Sequence, residues 1–247
     1  MTLGVGHAGA FGQEGAFHPR LLTTGGKNPS GPRMTAPGRW AWELVRRTSA
    51  PARLVPGRVA ADDPRLLSDP FAIWAGDEDV PPLAGPEISG LRAFLDLGGV
   101  LVVDDADPAK GVFGRAARRE IARVVPEAPL VRLVARAGGE AEKEHVIYKS
   151  YYLIDRPAGR VEGPPYVEAV VRGRDAQVLF LAHDLLGALA RAAEGSWLLE
   201  VVPNGSEQRE YAVRFAVNLA MYVLCSNYKD DQVHAQALMR RRGRSQP

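Results

Sequence analysis

Residues 94–105 read FLDLGGVLVVDD: the end of an amphipathic segment, a Gly-Gly break, four consecutive aliphatic residues, then two aspartates. Glycine past the last apolar turn is the usual relief of a left-handed helix end. An unbroken run such as Val100–Val103 suits a strand covered on both faces rather than one with a wet side. Upstream, the apolar run Phe71–Ala75 ends at Gly76-Asp77, and Ile88, Leu91, Phe94 and Leu95 recur at helical spacing. Strand, helix, strand at this spacing is a βαβ unit, which predicts an α/β fold with a mostly parallel sheet.

Working outward, Leu21-Leu22 begins a first strand ahead of a Gly/Pro-rich loop, 23–37. Trp40, Leu44 and Val45, followed by Arg46, Arg47 and Pro51, predict a helix near 38–48 with those three residues facing the sheet. Ala116, Ala117, Ile121 and Val124 place a helix over 113–124, ended by Pro126, and the Gly- and Glu-rich stretch 135–144 reads as loop. Residues 146–154, 167–172 and 178–182 are strand candidates, the last two paired across the turn Gly173-Arg174-Asp175, which makes the sheet partly antiparallel. A helix over 207–225 closes the domain. The expected organisation is a Gly/Ala-rich leader over 1–16, one α/β domain over 17–228, and a polar, basic tail over 229–247.

Of the 247 residues, 46% are hydrophobic and 24% charged, a globular composition whose core needs no staples. The single cysteine, Cys225, rules out an intrachain disulfide and leaves the redox compartment open. The net charge is +2, with Arg240, Arg241, Arg242 and Arg244 clustered at the end; a solvated end is the expected reading and no nucleic-acid partner is expected. No apolar run is long enough to span a bilayer. Ala8-Gly9-Ala10 has the small-x-small form of a signal-peptidase site without the regions that should precede it. Two readings stand: a truncated export signal, giving a periplasmic or envelope location, or a plain Gly/Ala leader on a cytoplasmic protein.

In open α/β sheets ligands gather beyond the carboxyl ends of the strands. Two segments deliver polar groups there: Val100–Val103 leads into Asp104, Asp105 and Asp107, and 178–182 leads into His183 and Asp184. If the strands are parallel neighbours, their tips form a cluster of carboxylates with one imidazole. That set suits a divalent cation held by Asp104 and Asp184, or an acid/base pair. The competing and favoured reading is that Asp105, Asp107 and Asp184 order turns and cap helices through backbone N–H groups. No other cofactor is indicated: GxxxxGK, GxGxxG and GxSxG are all absent. Tyr148, Tyr151 and Tyr152 are expected to cover one side of a strand, with Lys149 and Ser150 on opposite faces and poorly placed as catalytic partners. Cys225 reads as a buried, inert helical thiol, and the polar patch Cys225–Asp231 with His234 as a wrapping or docking tail after the last helix.

FAIWAGD (71–77), FLDLGGVLVVDD (94–105), the turn and strand ending at Asp184, the closing FAVNLAMYVL (215–224) and the segment Phe17–Leu22 occur in an order and spacing that resemble the bacterial domain-of-unknown-function family numbered 4159. The resemblance implies a three-layer, flavodoxin-like sandwich of the class I glutamine amidotransferase type, without implying that activity. Amidotransferases set a cysteine on a tight strand-to-helix turn; the equivalent strand end here carries Asp104 and Asp105. The resemblance also implies an envelope role, since family members often carry export signals and neighbour genes for membrane-anchored von Willebrand-type proteins and MoxR-type ATPases. The sequence is therefore read as a non-catalytic binding or scaffold protein of the envelope with protein partners. A divalent-metal-dependent hydrolase using Asp104, Asp105, His183 and Asp184 is the alternative.

Overall fold

A computed structural model describes residues 15–25, 31–173 and 175–243, with side chains as far as 226. The leader to residue 14, Arg174 of the expected turn, and the side chains of His234 and the terminal arginines lie outside the described residues.

The chain is an α/β protein with one eight-stranded mixed sheet. Its strands are β1 (Arg20–Thr23), β2 (Gly57–Ala60), β3 (Phe71–Gly76), β4 (Val100–Asp105), β5 (Leu130–Val134), β6 (Glu142–Glu144), β7 (Val167–Arg172) and β8 (Asp175–Leu181), in the order β2-β1-β3-β4-β8-β7-β5-β6. β2, β1, β3, β4 and β8 form a parallel block. β7 pairs antiparallel with β8 on one side and β5 on the other. The tight turn at Gly173, whose φ is +63°, returns β8 directly alongside β7 and so imposes that reversal. Hence the sheet is mixed, with the reversal expected between β7 and β8: a parallel block is followed by two antiparallel pairings, β8–β7 and β7–β5, and a last parallel one, β5–β6.

Helices cover both faces. α1 (Ala36–Thr48), α4 (Leu185–Leu189) and α5 (Gly205–Gly243) pack over Leu21, Ile73, Val100, Val102, Leu179 and Leu181. α2 (Gly85–Asp96) and α3 (Val112–Val124) pack over Leu22, Trp74, Leu101, Val103, Val178 and Phe180. Successive strand residues therefore go to opposite cores, which is why these segments read as continuous apolar runs. The Trp40 Nε1 donates to the Ala216 carbonyl at 2.7 Å, tying α1 to α5 in the buried layer.

Several expectations need correction. β2, β5 and α4 carry too few patterned residues to stand out in the sequence. The stretch 142–144 pairs with β5 as a strand rather than lying in a loop. Residues 146–154 are not a strand: Val146–Tyr148 is a 3-10 turn whose Tyr148 hydroxyl donates to the Leu133 carbonyl, and Tyr151 and Tyr152 follow in irregular chain. Val45 faces outward, so the buried stripe of α1 is Trp40, Ala41 and Leu44. The helix begun at Gly205 continues to Gly243, so the stretch from Cys225 onward belongs to α5 and does not follow it, and Cys225 is exposed on that helix rather than buried.

Candidate functional site

Alternation along β4 decides what its two terminal aspartates do. Asp104 falls on the side of α4 and Asp105 on the side of α3. The Asp104 carboxylate accepts from the backbone N–H of Leu185 at 2.9 Å and of Leu186 at 2.8 Å. The Asp105 carboxylate accepts from the N–H of Asp107 and of Gly114, both at 3.1 Å, Gly114 lying in the first turn of α3. Each acid thus supplies acceptors to orphan amides on its own face.

β8 is the parallel neighbour of β4, with Asp104 level with Leu181. Asp184, just beyond its tip, takes the left-handed conformation at φ +54° and caps α4 by accepting from Gly187 N–H at 3.0 Å. It is fully buried and also holds two arginines: Arg33 donates through Nε and Nη2, both at 2.7 Å, and Arg160 donates through Nε. The Arg33 guanidinium is raised above its ordinary pKa, chiefly by this bond to Asp184. Burial, reinforced by the Asp184 charge, pushes the Asp104 carboxyl up to about 8; burial also raises Asp105. Asp107 is different. It sits at the surface with Lys110 Nζ at 2.7 Å, and that contact lowers its pKa.

His183 is buried, and its Nε2 donates to the Pro164 carbonyl at 2.9 Å, leaving Nδ1 without a hydrogen-bond partner among the described residues. Desolvation lowers its pKa to about 4, so it is neutral at physiological pH. The fold therefore gathers Asp104, His183 and Asp184 around the β4 and β8 tips, turns Asp105 to the other face and leaves Asp107 outside. Among the described residues, no group of three or more His, Cys, Asp or Glu side chains is placed to hold a metal ion.

The open space lies one strand away. The chain leaves β1 through α1 on one face of the sheet and leaves β3 through α2 on the other, so a crevice opens between the carboxyl ends of β1 and β3, where the connections diverge. A cavity of about 380 Å³ occupies it. Its walls are apolar, with Leu22, Met34, Leu186 and the edge-to-face pair Trp74 and Phe113, whose ring centroids are 5.6 Å apart. Arg33 contributes the cation, and its Nη2 also donates to the Ala106 carbonyl at 3.2 Å; Asp77, Glu78 and Asp79 form a rim. Sequence reasoning located the strand tips but missed Arg33, Arg160 and the Trp74–Phe113 wall. No motif marks an isolated arginine, whether in a 3-10 turn like Arg33 or in irregular chain like Arg160, although FAIWAGD did place Trp74 near a strand end.

The family model described as Domain of unknown function (DUF4159) matches residues 22–224, from the end of β1 into α5. The chain belongs to that family. The match takes in the strand-tip aspartates and nearly all the crevice lining of this DUF4159 member, as well as α1 and α4. No curated protein matches the chain. No described helix is long and apolar enough to cross a membrane.

Proposed function

We propose that this DUF4159 member is a non-catalytic binding protein of the bacterial cell envelope that takes its ligand in the crevice between β1 and β3. The fold assigned with it is a flavodoxin-like, class I glutamine amidotransferase-like arrangement without the nucleophile. That assignment is supported by the parallel block order β2-β1-β3-β4-β8 and by helices on both faces. At the strand end where an amidotransferase would carry cysteine stand Asp104 and Asp105, and Cys225 is exposed on α5.

One observation carries the reading. Every carboxylate at the β4 and β8 tips is engaged by backbone amides or guanidinium groups, whereas the adjacent crevice joins apolar walls, Leu22, Trp74 and Phe113, to the Arg33 guanidinium and an exposed rim of three acids, a mix that can both bury and orient a small molecule. The envelope placement is supported by the family resemblance.

Three measurements test it. Native mass spectrometry of protein purified from its own bacterium is expected to show a bound small molecule that is lost in Asp77→Trp, which fills the crevice from an exposed rim position. Identical spectra for the two proteins would overturn the crevice. Melting in magnesium, calcium or manganese is expected to be unchanged; a metal-dependent rise would favour the hydrolase alternative instead. Fractionation of the native cells should place the protein in the envelope, and a wholly cytoplasmic signal would overturn that part.

A further inference from the structure

Away from the crevice, α1 and the chain linking α4 to α5 build a surface in which guanidinium groups and indoles alternate. The Arg46 Cζ lies 5.1 Å and the Arg39 Cζ 4.0 Å from the ring of Trp42. Arg39 also reaches Trp197 at 5.4 Å, and Trp197 carries Arg191 at 5.0 Å and Arg209 at 4.3 Å. Both indoles remain substantially exposed, Trp42 at 37% and Trp197 at 40%, with Val45 and Leu198 open beside them in the chain. Burying such large rings against the core is the ordinary outcome; two of the chain's four tryptophans stand out on this face instead.

The patch is undercompensated in charge. Among the described residues Arg39 has one carboxylate partner, Glu43, which it shares with Arg47. Among the same described residues Arg46 and Arg191 have none, and Arg209 donates to the carbonyls of Ala188 and Leu199 and to no carboxylate. Glu194, in the Trp197 loop, accepts from the Ser196 hydroxyl. The Nε of Arg39 is buried with no hydrogen-bond partner among the described residues. Stacking on indole and bonding to fixed carbonyls, as Arg191 Nε does to Gly195, hold these guanidinium groups in place before any ligand arrives.

We infer that this arginine–tryptophan face is a docking surface for an acidic segment of a partner protein, with carboxylates bridging Arg46, Arg39 and Arg191 while Trp42 and Trp197 hold those guanidinium groups in place. The geometry discriminates between anionic partners. Nucleic-acid bases would need free indole faces on which to stack, and here guanidinium groups already lie over them. Insertion into a lipid surface needs apolar side chains standing clear of charge, which the same stacking prevents. A carboxylate needs neither; it meets the outward edges of planar, preorganised guanidinium groups in paired hydrogen bonds.

The test uses the full chain and a fluorescein-labelled peptide of sequence Glu-Asp-Phe-Glu-Asp-Glu, read by anisotropy. Saturable binding that weakens with salt is expected, reduced about tenfold or more by Arg46→Glu combined with Arg191→Glu, and by Trp42→Ala. Arg46→Lys with Arg191→Lys, which keeps the charge and loses the fork, should fall between. All of these positions are at least partly exposed, so melting temperatures should stay close to the parent. Asp77→Trp should leave peptide binding intact, which separates this surface from the crevice. Absence of saturable peptide binding, or binding unchanged by charge reversal, would overturn the inference. So would tighter, Arg46- and Arg191-dependent binding of oligo-dT or of phosphatidylglycerol vesicles.

Discussion

Asp104 and Asp184, at the tips of adjacent parallel strands, share one five-residue helix: Asp104 accepts from the first two amides of α4 and Asp184 from the third. Two acids that look like half of a metal site in the sequence are here the N-terminal anchor of a buried helix. α4 is too short to be stable on its own propensity, so its geometry depends on these acceptors and on packing. Asp184 adds a second task, since Arg33, in the 3-10 turn Pro32–Thr35 that leads into α1, and Arg160, in the irregular chain before β7, meet on it.

Asp184→Asn follows from that convergence. It retains the side-chain volume but leaves two largely buried guanidinium groups facing a neutral amide. Breaking a buried ion pair by removing one partner costs about 3–5 kcal/mol. Urea unfolding should show a loss of that order. A loss below about 1 kcal/mol would mean that the pairs do not anchor the loops.

The pH dependence is set by groups with opposite signs. Asp104 ionises near 3.8 when unfolded and at about 8 when folded, so between those values the folded chain holds the extra proton and stability falls as pH rises. Its contribution is complete below the lower value and gone above the upper. Asp105, also raised by burial, acts in the same sense. His183 and His145 do the reverse: burial lowers both to about 4 from 6.5, so their contribution is present above 6.5 and lost as pH falls through 4. From 6.5 to 8 the histidines are silent, and stability should decline by at most about 1.4 kcal/mol per pH unit for the one Asp104 proton. Asp104→Asn should flatten that limb whatever its absolute stability; an unchanged slope in urea titrations would show that Asp104 is already ionised at neutral pH.

Gly187 has no room for a side chain. A Cβ there would lie 2.3 Å from the nearer Asp184 carboxylate oxygen, which cannot move away without releasing Arg33 and Arg160. Gly187→Ala should therefore cost more than the roughly 1 kcal/mol that alanine normally gains over glycine in a helix. Gly85, at the start of α2, meets nothing within 4 Å, and Gly85→Ala should stabilise by about 0.4–1 kcal/mol. Similar melting shifts for the two variants would refute the steric argument.

The parallel core was readable because its strands are apolar on both faces: Phe71–Ala75 and Val100–Val103 have no alternative use. The sequence leaves open whether the strand ending near Ala182 is their neighbour; the parallel pairing of β4 with β8 makes it so. What escaped notice was short or mixed in pattern. β2 has one fully buried residue, Val59, and β6 is Glu-Lys-Glu, a solvated edge with no apolar signature. The run 146–154 has strand composition, yet Ile147 and Tyr148 are buried by a 3-10 turn against α5, and composition alone does not separate the two. The site was half legible. A sequence gives the positions of Asp104 and Asp184, but whether a carboxylate is free or spent depends on amides and arginines far away in the chain, Arg33 being 151 residues from Asp184.

Asn218 supplies the last prediction. It is the one side-chain amide within the apolar run FAVNLAMYVL, and it is wholly inaccessible. Its Oδ1 accepts from the backbone N–H of Tyr151 at 3.2 Å and of Tyr152 at 2.7 Å, while its Nδ2 donates to the Tyr152 carbonyl at 2.8 Å. One side chain on α5 thus satisfies three backbone groups of the irregular segment after Tyr148, which has no strand partner to do so. Asn218→Leu fills the same space and strands all three, at about 1–3 kcal/mol for each group that water cannot reach. Asn218→Asp keeps both acceptors but sets a buried carboxylate against the Tyr152 carbonyl, so it should be tolerated only when protonated and recover stability as pH falls. Limited proteolysis should cut the leucine variant within 149–155 well before global unfolding. Parent-like resistance there, with a loss under about 1 kcal/mol, would show that packing of Tyr152 rather than the amide network holds the segment.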